Sequence, residues 1–339
     1  MLTGDFKDSR LVTIASEPVT RYLVTDADLV SQPTCLICDE DNAETLTQVF
    51  VQDLEVFTTV ACRGCLYVWR SVAPSDLWVA KCAEQLSAAG HAQVNDGLES
   101  VRTQAYLRRV RFVEPYVKTP MVLDVGAANG AGLNVLAGAG FEVCAVEPDP
   151  ARAELLSTIA LTFQGTIEDA ISNWKQKYGL VLLCHVLEHC QDPLFVLDNI
   201  NRLMLPDGVL YIEVPSLGII NWSDAFYLTH RTNFTPRTFA QLAGKAGLEV
   251  VAARSFVHEG RRVDHGWVLG VRKGVEALSI RDTHTVADLR ELYRAGLPFE
   301  VTDGPLKYRV PYLDHFVYGL RFDRWGASYD GEFVNFVEA

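Results

Sequence analysis

MVLDVGAANGAGLNVL, residues 121–136, decides the fold. A short apolar run ends in Asp124, glycines follow at 126, 130 and 132, and an apolar helical pattern begins. Glycine lets a backbone turn tightly and approach a ligand closely. In open α/β sheets, ligands bind outside the carboxyl ends of the strands, where this turn would lie. The next β-rich run, EVCAVEP, ends in Glu147, seventeen residues past Gly130. An acidic residue at that point can accept both hydroxyls of a ribose.

Outward from there, strand and helix patterns alternate. GLNVLAGAG reads as a helix with a glycine stop, and DPARAELLSTIA as a helix capped by Asp149 with Pro150 in its first turn. YGLVLLC is a strand, DPLFVLDNINRLM a helix, Pro206-Asp207-Gly208 a turn, VLYIEV a strand, and TPRTFAQLAGKAG a helix capped by Thr235. Such alternation predicts a parallel sheet with helices on both faces. LEVVAARSF and GWVLGVRK have a loop but no helix between them, so they are expected to form an antiparallel hairpin at one edge.

The glycine spacing is G-x-x-x-G-x-G rather than the G-x-G-x-x-G of nicotinamide dinucleotide sites, which disfavours an oxidoreductase. D-x-G-x-x-x-G instead resembles motif I of class I S-adenosylmethionine-dependent methyltransferases. FQGTIEDA, KYGLVLLCHVLEHCQDPLFVL and PDGVLYIEVP resemble later blocks of that family, in the same order, so the resemblance covers residues 119–273. It implies an α/β, Rossmann-like seven-stranded sheet that binds S-adenosylmethionine. The implied cofactor residues are Asp124, Gly126, Ala127, Gly130, Glu147 and Pro148, with Thr166, Ile167 and Glu168 flanking the adenine, and His185 and Val186 near the methionine end. Gly179 departs from the pattern, standing where many members carry an aspartate.

Ahead of this region lie two C-x-x-C pairs, Cys35 with Cys38 and Cys62 with Cys65, separated by twenty-three residues. Between them QVFVQDLEVFTTV suits short strands that bring the pairs together. Four thiolates give zinc a closed tetrahedral shell with no position for water, so this zinc is expected to be structural; an iron–sulfur cluster is the alternative occupant. A zinc module ahead of a methyltransferase core resembles a group of bacterial sugar methyltransferases, including C-methyltransferases of nucleotide-linked deoxysugars.

NWSDAFYLTHRTNFTPRTF, residues 221–239, resembles the acid–base block of those C-methyltransferases. Tyr227 and His230 match its tyrosine and histidine, but Thr229 stands where its glutamate would be, which favours a hydroxyl acceptor over a carbon. A hydroxyl attacks well only if its proton leaves, and histidine suits that near neutral pH. His230 is the first choice for base and Tyr227 its orienting partner; His189 and His185 are second choices, with Glu188 and His189 facing the acceptor. His258 and His265 flank the turn of the last hairpin, within reach of the same pocket. HVLEH, residues 185–189, also matches the H-x-x-E-H of inverted zinc proteases. That motif needs a helix, whereas LVLLC runs straight into His185 and Asp192-Pro193 starts the next helix. No downstream glutamate on a helix supplies a third ligand, so metal is expected at the cysteines alone.

The chain of 339 residues divides by these readings into an arm and zinc module (1–72), a helical connector (73–118), the methyltransferase region (119–273) and a C-terminal helix with an aromatic-rich extension (274–339). In the connector, Ser75-Asp76 offers a cap and VRTQAYLRRVRFVEPYV carries apolar residues at Val101, Tyr106, Val110 and Val113. A net charge of −13 without a basic cluster excludes nucleic acid as the expected partner. With no signal peptide or membrane-length apolar run, the expected setting is cytoplasmic and the expected partner a small-molecule acceptor. The aromatic segment 308–325 reads either as a homodimer surface or as part of the acceptor pocket. The competing reading of another class is a zinc-ribbon interaction protein on a degenerate methyltransferase fold, against which Asp124, Gly126, Gly130 and Glu147 stand intact.

Overall fold

A computed structural model of the chain describes residues 24–51, 54–79, 81, 96–215, 229–258, 262–271, 285–289, 306–310 and 335–337. The alternating region forms the expected sheet. Its strands are β5 (Met121–Val125), β6 (Glu142–Glu147), β7 (Leu161–Gln164), β8 (Tyr178–Cys184), β9 (Met204–Pro215), β11 (Leu248–His258) and β12 (Arg262–Val271), in the order β7-β6-β5-β8-β9-β12-β11. All neighbours from β7 to β9 pair in parallel; β12 runs antiparallel to both of its neighbours, and β11 forms the edge. The helices are α1 (Asp96–Val113), α2 (Ala131–Gly138), α3 (Pro150–Leu156), α4 (Ile167–Asn173), α5 (Pro193–Asn199) and α6 (Pro236–Lys245). The predicted caps are made: Asp149 Oδ1 accepts from Arg152 N at 3.0 Å, and Thr235 Oγ1 from Thr238 N at 3.1 Å.

β7 and α4 were not foreseen as elements. β7 has four residues, LTFQ, too few to show a period, and α4 has seven, starting with a Thr166 capping box rather than an apolar stripe. The Pro206-Asp207-Gly208 turn occurs inside β9 as a break in pairing: Tyr178 faces Met204, but Leu180 faces Val209. Gly179 sits within that break, and a Cβ there would lie 2.2 Å from the Thr119 carbonyl oxygen. The departure from the family's aspartate therefore follows from close backbone packing.

A second sheet contains β1 (Leu29–Ser31), β2 (Ala43–Val51), β3 (Leu54–Cys62) and β4 (Val68–Pro74). It also takes β10 (Thr232–Asn233) onto β4, and β13 (Leu306–Val310) and β14 (Asn335–Val337) beyond β2. β13 pairs with β2 in parallel, Leu306 beside Thr47 through Val310 beside Val51. Chain from both later regions is thus woven into the cysteine module. The two sheets share one core, in which Tyr67 and Trp69 stack at 5.6 Å, Tyr67 meets Phe234 at 6.3 Å, and Phe234 meets Phe239 of α6 at 5.8 Å. Each such aromatic pair adds roughly 0.5–1.5 kcal/mol beyond the burial of its area. Lys245 at the end of α6 donates to the Asp39 carboxylate and to Leu36 O, at 2.8–2.9 Å.

α1 buries Tyr106, Val110 and Val113, as the connector pattern predicts, and also Arg109, which that pattern did not mark; the side chain of Val101 lies outside the described residues. The C-terminal helix is described only at 286–289, where Leu289 is buried. Residues 1–23 of the arm and the aromatic residues 311–325 lie outside the described residues. Among the described residues, no helix is long and apolar enough to cross a membrane.

Candidate functional site

β5, β6 and β8 are neighbours in parallel, so their carboxyl ends bring Gly126, Pro148 and His185 to one edge of the sheet. Gly126 and Gly130 take φ of 70° and 80°, the left-handed region that side chains disfavour. Val186 overhangs the turn: a Cβ on Gly126 would sit 3.0 Å from Val186 Cγ2. The glycine turn and the exit of the fourth parallel strand therefore face each other. Gly132 fills a different need, since a Cβ there would meet the Tyr106 ring at 2.2 Å.

Glu147 is buried, and burial raises its pKa. Its two oxygens accept from Ala128 N at 2.9 Å and Asp149 N at 3.1 Å, which aims the carboxylate between the glycine turn and the start of α3. Each oxygen keeps a further lone pair. Asp124 is fully buried and accepts from the Tyr106 hydroxyl at 2.8 and 3.0 Å; burial pushes its pKa up to about 7. Ala127 is buried, Pro148 exposed, and Thr166, Ile167 and Glu168 start α4 beyond the end of β7.

The exit of β8 is a short 3-10 turn, Leu187–His189, not a helix, as the HVLEH reading expects. His185 takes φ of 58°, an uncommon conformation for a non-glycine residue and one that recurs at functional sites. Its Nδ1 lies 3.2 Å from Glu188 Oε1 and its Nε2 3.5 Å from Glu213 Oε1. Glu213 also accepts from Arg109 at 2.5 and 3.1 Å and from the Tyr211 hydroxyl at 2.6 Å. Burial pushes Glu213 up, but the Arg109 guanidinium and the His185 ring together outweigh it and hold the carboxyl well below the usual range.

The fold brings His230 onto HVLEH. Arg231 N donates to Glu188 O at 2.7 Å, and the His189 and His230 rings meet edge to face at 4.8 Å. His189 Nδ1 lies 3.2 Å from Thr229 O and 3.0 Å from Thr229 Oγ1, so the threonine that replaces the expected glutamate orients His189. Burial lowers the His189 pKa and keeps the ring neutral at pH 7. Four sequence-selected residues thus converge: His185, Glu188, His189 and His230. Tyr227 lies outside the described residues, as do the side chains of His258 and His265.

Sequence reasoning missed Tyr106, Arg109 and Glu213 as parts of this site. A lone charge inside the apolar strand VLYIEV was a signal, because a buried charge requires a partner. Nothing marks Arg109 among the neighbouring arginines of LRRVRF.

The four cysteines cluster as expected. Cys35 and Cys65 Sγ are 3.4 Å apart, Cys38 and Cys62 Sγ 3.4 Å, and all four lie within 4.8 Å of one another. Zn–S bonds of about 2.3 Å in a tetrahedron separate sulfurs by about 3.8 Å. The residue after each pair, Asp39 and Leu66, takes a positive φ of 61° and 67°, so the two knuckles repeat one turn. Gly64 N donates to Cys62 Sγ at 3.3 Å. The donor set fits a structural zinc.

Residues 98–253 match the family model described as Methyltransferase domain. The ubiquinone biosynthesis O-methyltransferase of Actinobacillus pleuropneumoniae serotype 7 (strain AP76) is 33% identical over 103 residues, 27% of this chain and 44% of that protein. C-methyltransferase NovU of Streptomyces niveus is 28% identical over 142 residues, 39% of this chain and 33% of that protein. The chain thus spans less than half the length of either relative. Among solved structures, a SAM dependent methyltransferase from Archaeoglobus fulgidus aligns with a TM-score of 0.42 at 17% identity, over 49% of this chain and 93% of that one. The strand order and the glycine turn agree with that family match over residues 98–253.

Proposed function

We propose that the protein transfers a methyl group from S-adenosylmethionine to a hydroxyl of a small polar acceptor, a sugar or natural-product intermediate. The observation that carries this reading is the meeting of the Gly126 turn, Glu147 and the His185-Val186 exit at adjacent strand ends. Glu147 takes the ribose hydroxyls, Thr166, Ile167 and Glu168 flank the adenine, and His185 and Val186 border the methionine end. Glu188, His189 and His230 stand at the same exit and face the acceptor. The acceptor oxygen bonds to the methyl carbon as the carbon–sulfur bond breaks and sulfur keeps the electron pair. In the simplest form, His230 takes the hydroxyl proton, oriented by Tyr227. Cys35, Cys38, Cys62 and Cys65 would hold a zinc ion that supplies structure and no chemistry.

The NovU match favours carbon methylation as a second reading. Thr229 counts against it, since it offers a hydroxyl where that reading needs a carboxylate, and the hydroxyl is engaged with His189. Calorimetry with S-adenosylmethionine and S-adenosylhomocysteine tests the proposal. Binding is expected, weakened at least tenfold in Glu147→Ala; no binding at millimolar ligand sinks it.

A further inference from the structure

We infer that Glu188, His189 and His230 form a second metal site, which takes a divalent transition-metal ion and turns its open positions toward the acceptor. The site stands on its own geometry; only the use of the ion rests on the methyl-transfer reading. One donor atom from each of the three residues lies within 4.8 Å of the others, as they would around a single ion.

The surroundings match a ligand set. His189 Nδ1 lies 3.2 Å from the Thr229 carbonyl and 3.0 Å from Thr229 Oγ1; in the tautomer that donates to the carbonyl, the ring's lone pair is on Nε2. Metal-bound histidines are commonly fixed by such a bond from the other ring nitrogen to a carbonyl. Glu188 is 1% exposed. Its Oε1 faces His185 Nδ1, while Oε2 is buried with no hydrogen-bond partner among the described residues. A buried carboxylate oxygen without a donor costs free energy that a cation would offset. The third ligand is held in register by the Arg231 N to Glu188 O bond, which ties its segment to the 3-10 turn. It lies forty-one residues past His189, beyond the reach of any local motif.

Two imidazole nitrogens and one carboxylate oxygen suit zinc, iron(II), cobalt or nickel better than magnesium or calcium. Three protein ligands leave a position open, unlike the four-thiol shell. An acceptor hydroxyl bound there would lose its proton to solvent at lower pH, and its oxygen would then attack the methyl carbon as sulfur takes back the bonding pair. His230 would then serve as a ligand and not as a free base.

Titration of the full-length protein with cobalt(II) after metal removal tests the site. Two equivalents are expected: one with the sulfur-to-cobalt charge-transfer band of thiolate ligation, and one without it that a chelator strips first. Glu188→Gln and His189→Gln should each weaken the second equivalent at least tenfold. Retention of the thiolate band and of S-adenosylmethionine binding would show that those variants are folded. A wild-type titration that ends at the thiolate equivalent overturns the inference, as do variants that both keep the second equivalent at wild-type affinity. A second equivalent lost in the variants, in a protein that binds no S-adenosylmethionine, would uphold the metal site and reject the methyl-transfer reading.

Discussion

The two sheets of this protein are held together differently. The parallel sheet is wound from one stretch of chain, 121–271, and packs around strands such as β8 whose side chains are almost all buried. The sheet around the cysteines gathers strands from residues 29 to 337 and clusters four thiols at one end. The first depends on burial with a few charged ties; the second depends on borrowed strands and, on the proposed zinc reading, on a cross-link through the four thiols. The candidate site lies where they meet, because the segment that carries His230 continues directly into β10, which pairs with β4.

The largest effect should come from the cross-link. Cys62→Ser removes one of the four thiols proposed to hold zinc, and a structural zinc would be worth on the order of 10 kcal/mol of apparent binding energy. The variant should lose one equivalent of zinc by elemental analysis and melt well below the wild type. Because β10 and Tyr67 tie the module to the segment of His230, cofactor-independent cobalt binding at the histidines should weaken too. Full zinc content with an unchanged melt would erase the contrast between the sheets.

A smaller effect should follow from cutting a tie of the parallel sheet. Glu213→Gln leaves the Arg109 guanidinium buried without its counter-charge, at a cost of about 3–5 kcal/mol. Urea denaturation should show the lower midpoint while zinc content stays at the wild-type value. An unchanged midpoint would mean that burial alone holds α1 on the sheet.

The third effect is a pH dependence. Burial raises Asp124 from 3.8 to about 7, so the folded state binds its proton more tightly than the unfolded state. The stability this contributes is full below the unfolded value and is lost as pH rises through about 7. Asp124→Asn cannot titrate there, so the stability of wild type relative to the variant should fall between pH 4 and 7 and then level off. Parallel curves across that range would place Asp124 in a more polar setting than the Tyr106 contact indicates.

The parallel sheet was legible because its signals are local: the glycine turn, Asp149 and Thr235 caps, and apolar runs such as YGLVLLC each act within a few residues. The cysteine cluster was legible for the same reason, since C-x-x-C spacing encodes one knuckle at a time. β7 and α4 escaped because each is too short to show a period. The partners of Glu213 escaped because Arg109 and Tyr211 reach it only after α1 docks on the sheet. HVLEH shows both sides of this limit. Its rejection as a helical zinc motif agrees with the 3-10 turn at Leu187–His189. The convergence of His230 on Glu188 and His189 depends on tertiary packing, which no spacing records.

The parallel pairing of β13 with β2 has a consequence for biosynthesis. Residues 43–51 leave the ribosome long before 306–310 do, so the β2 edge must wait through the synthesis of the whole parallel sheet for its neighbour. An unpaired strand edge rich in β-branched and aromatic residues is prone to intermolecular pairing during that interval. On the proposed zinc reading, metal capture by the cysteines, complete by residue 65, would secure β2 against β3 while the partner strand is still unmade.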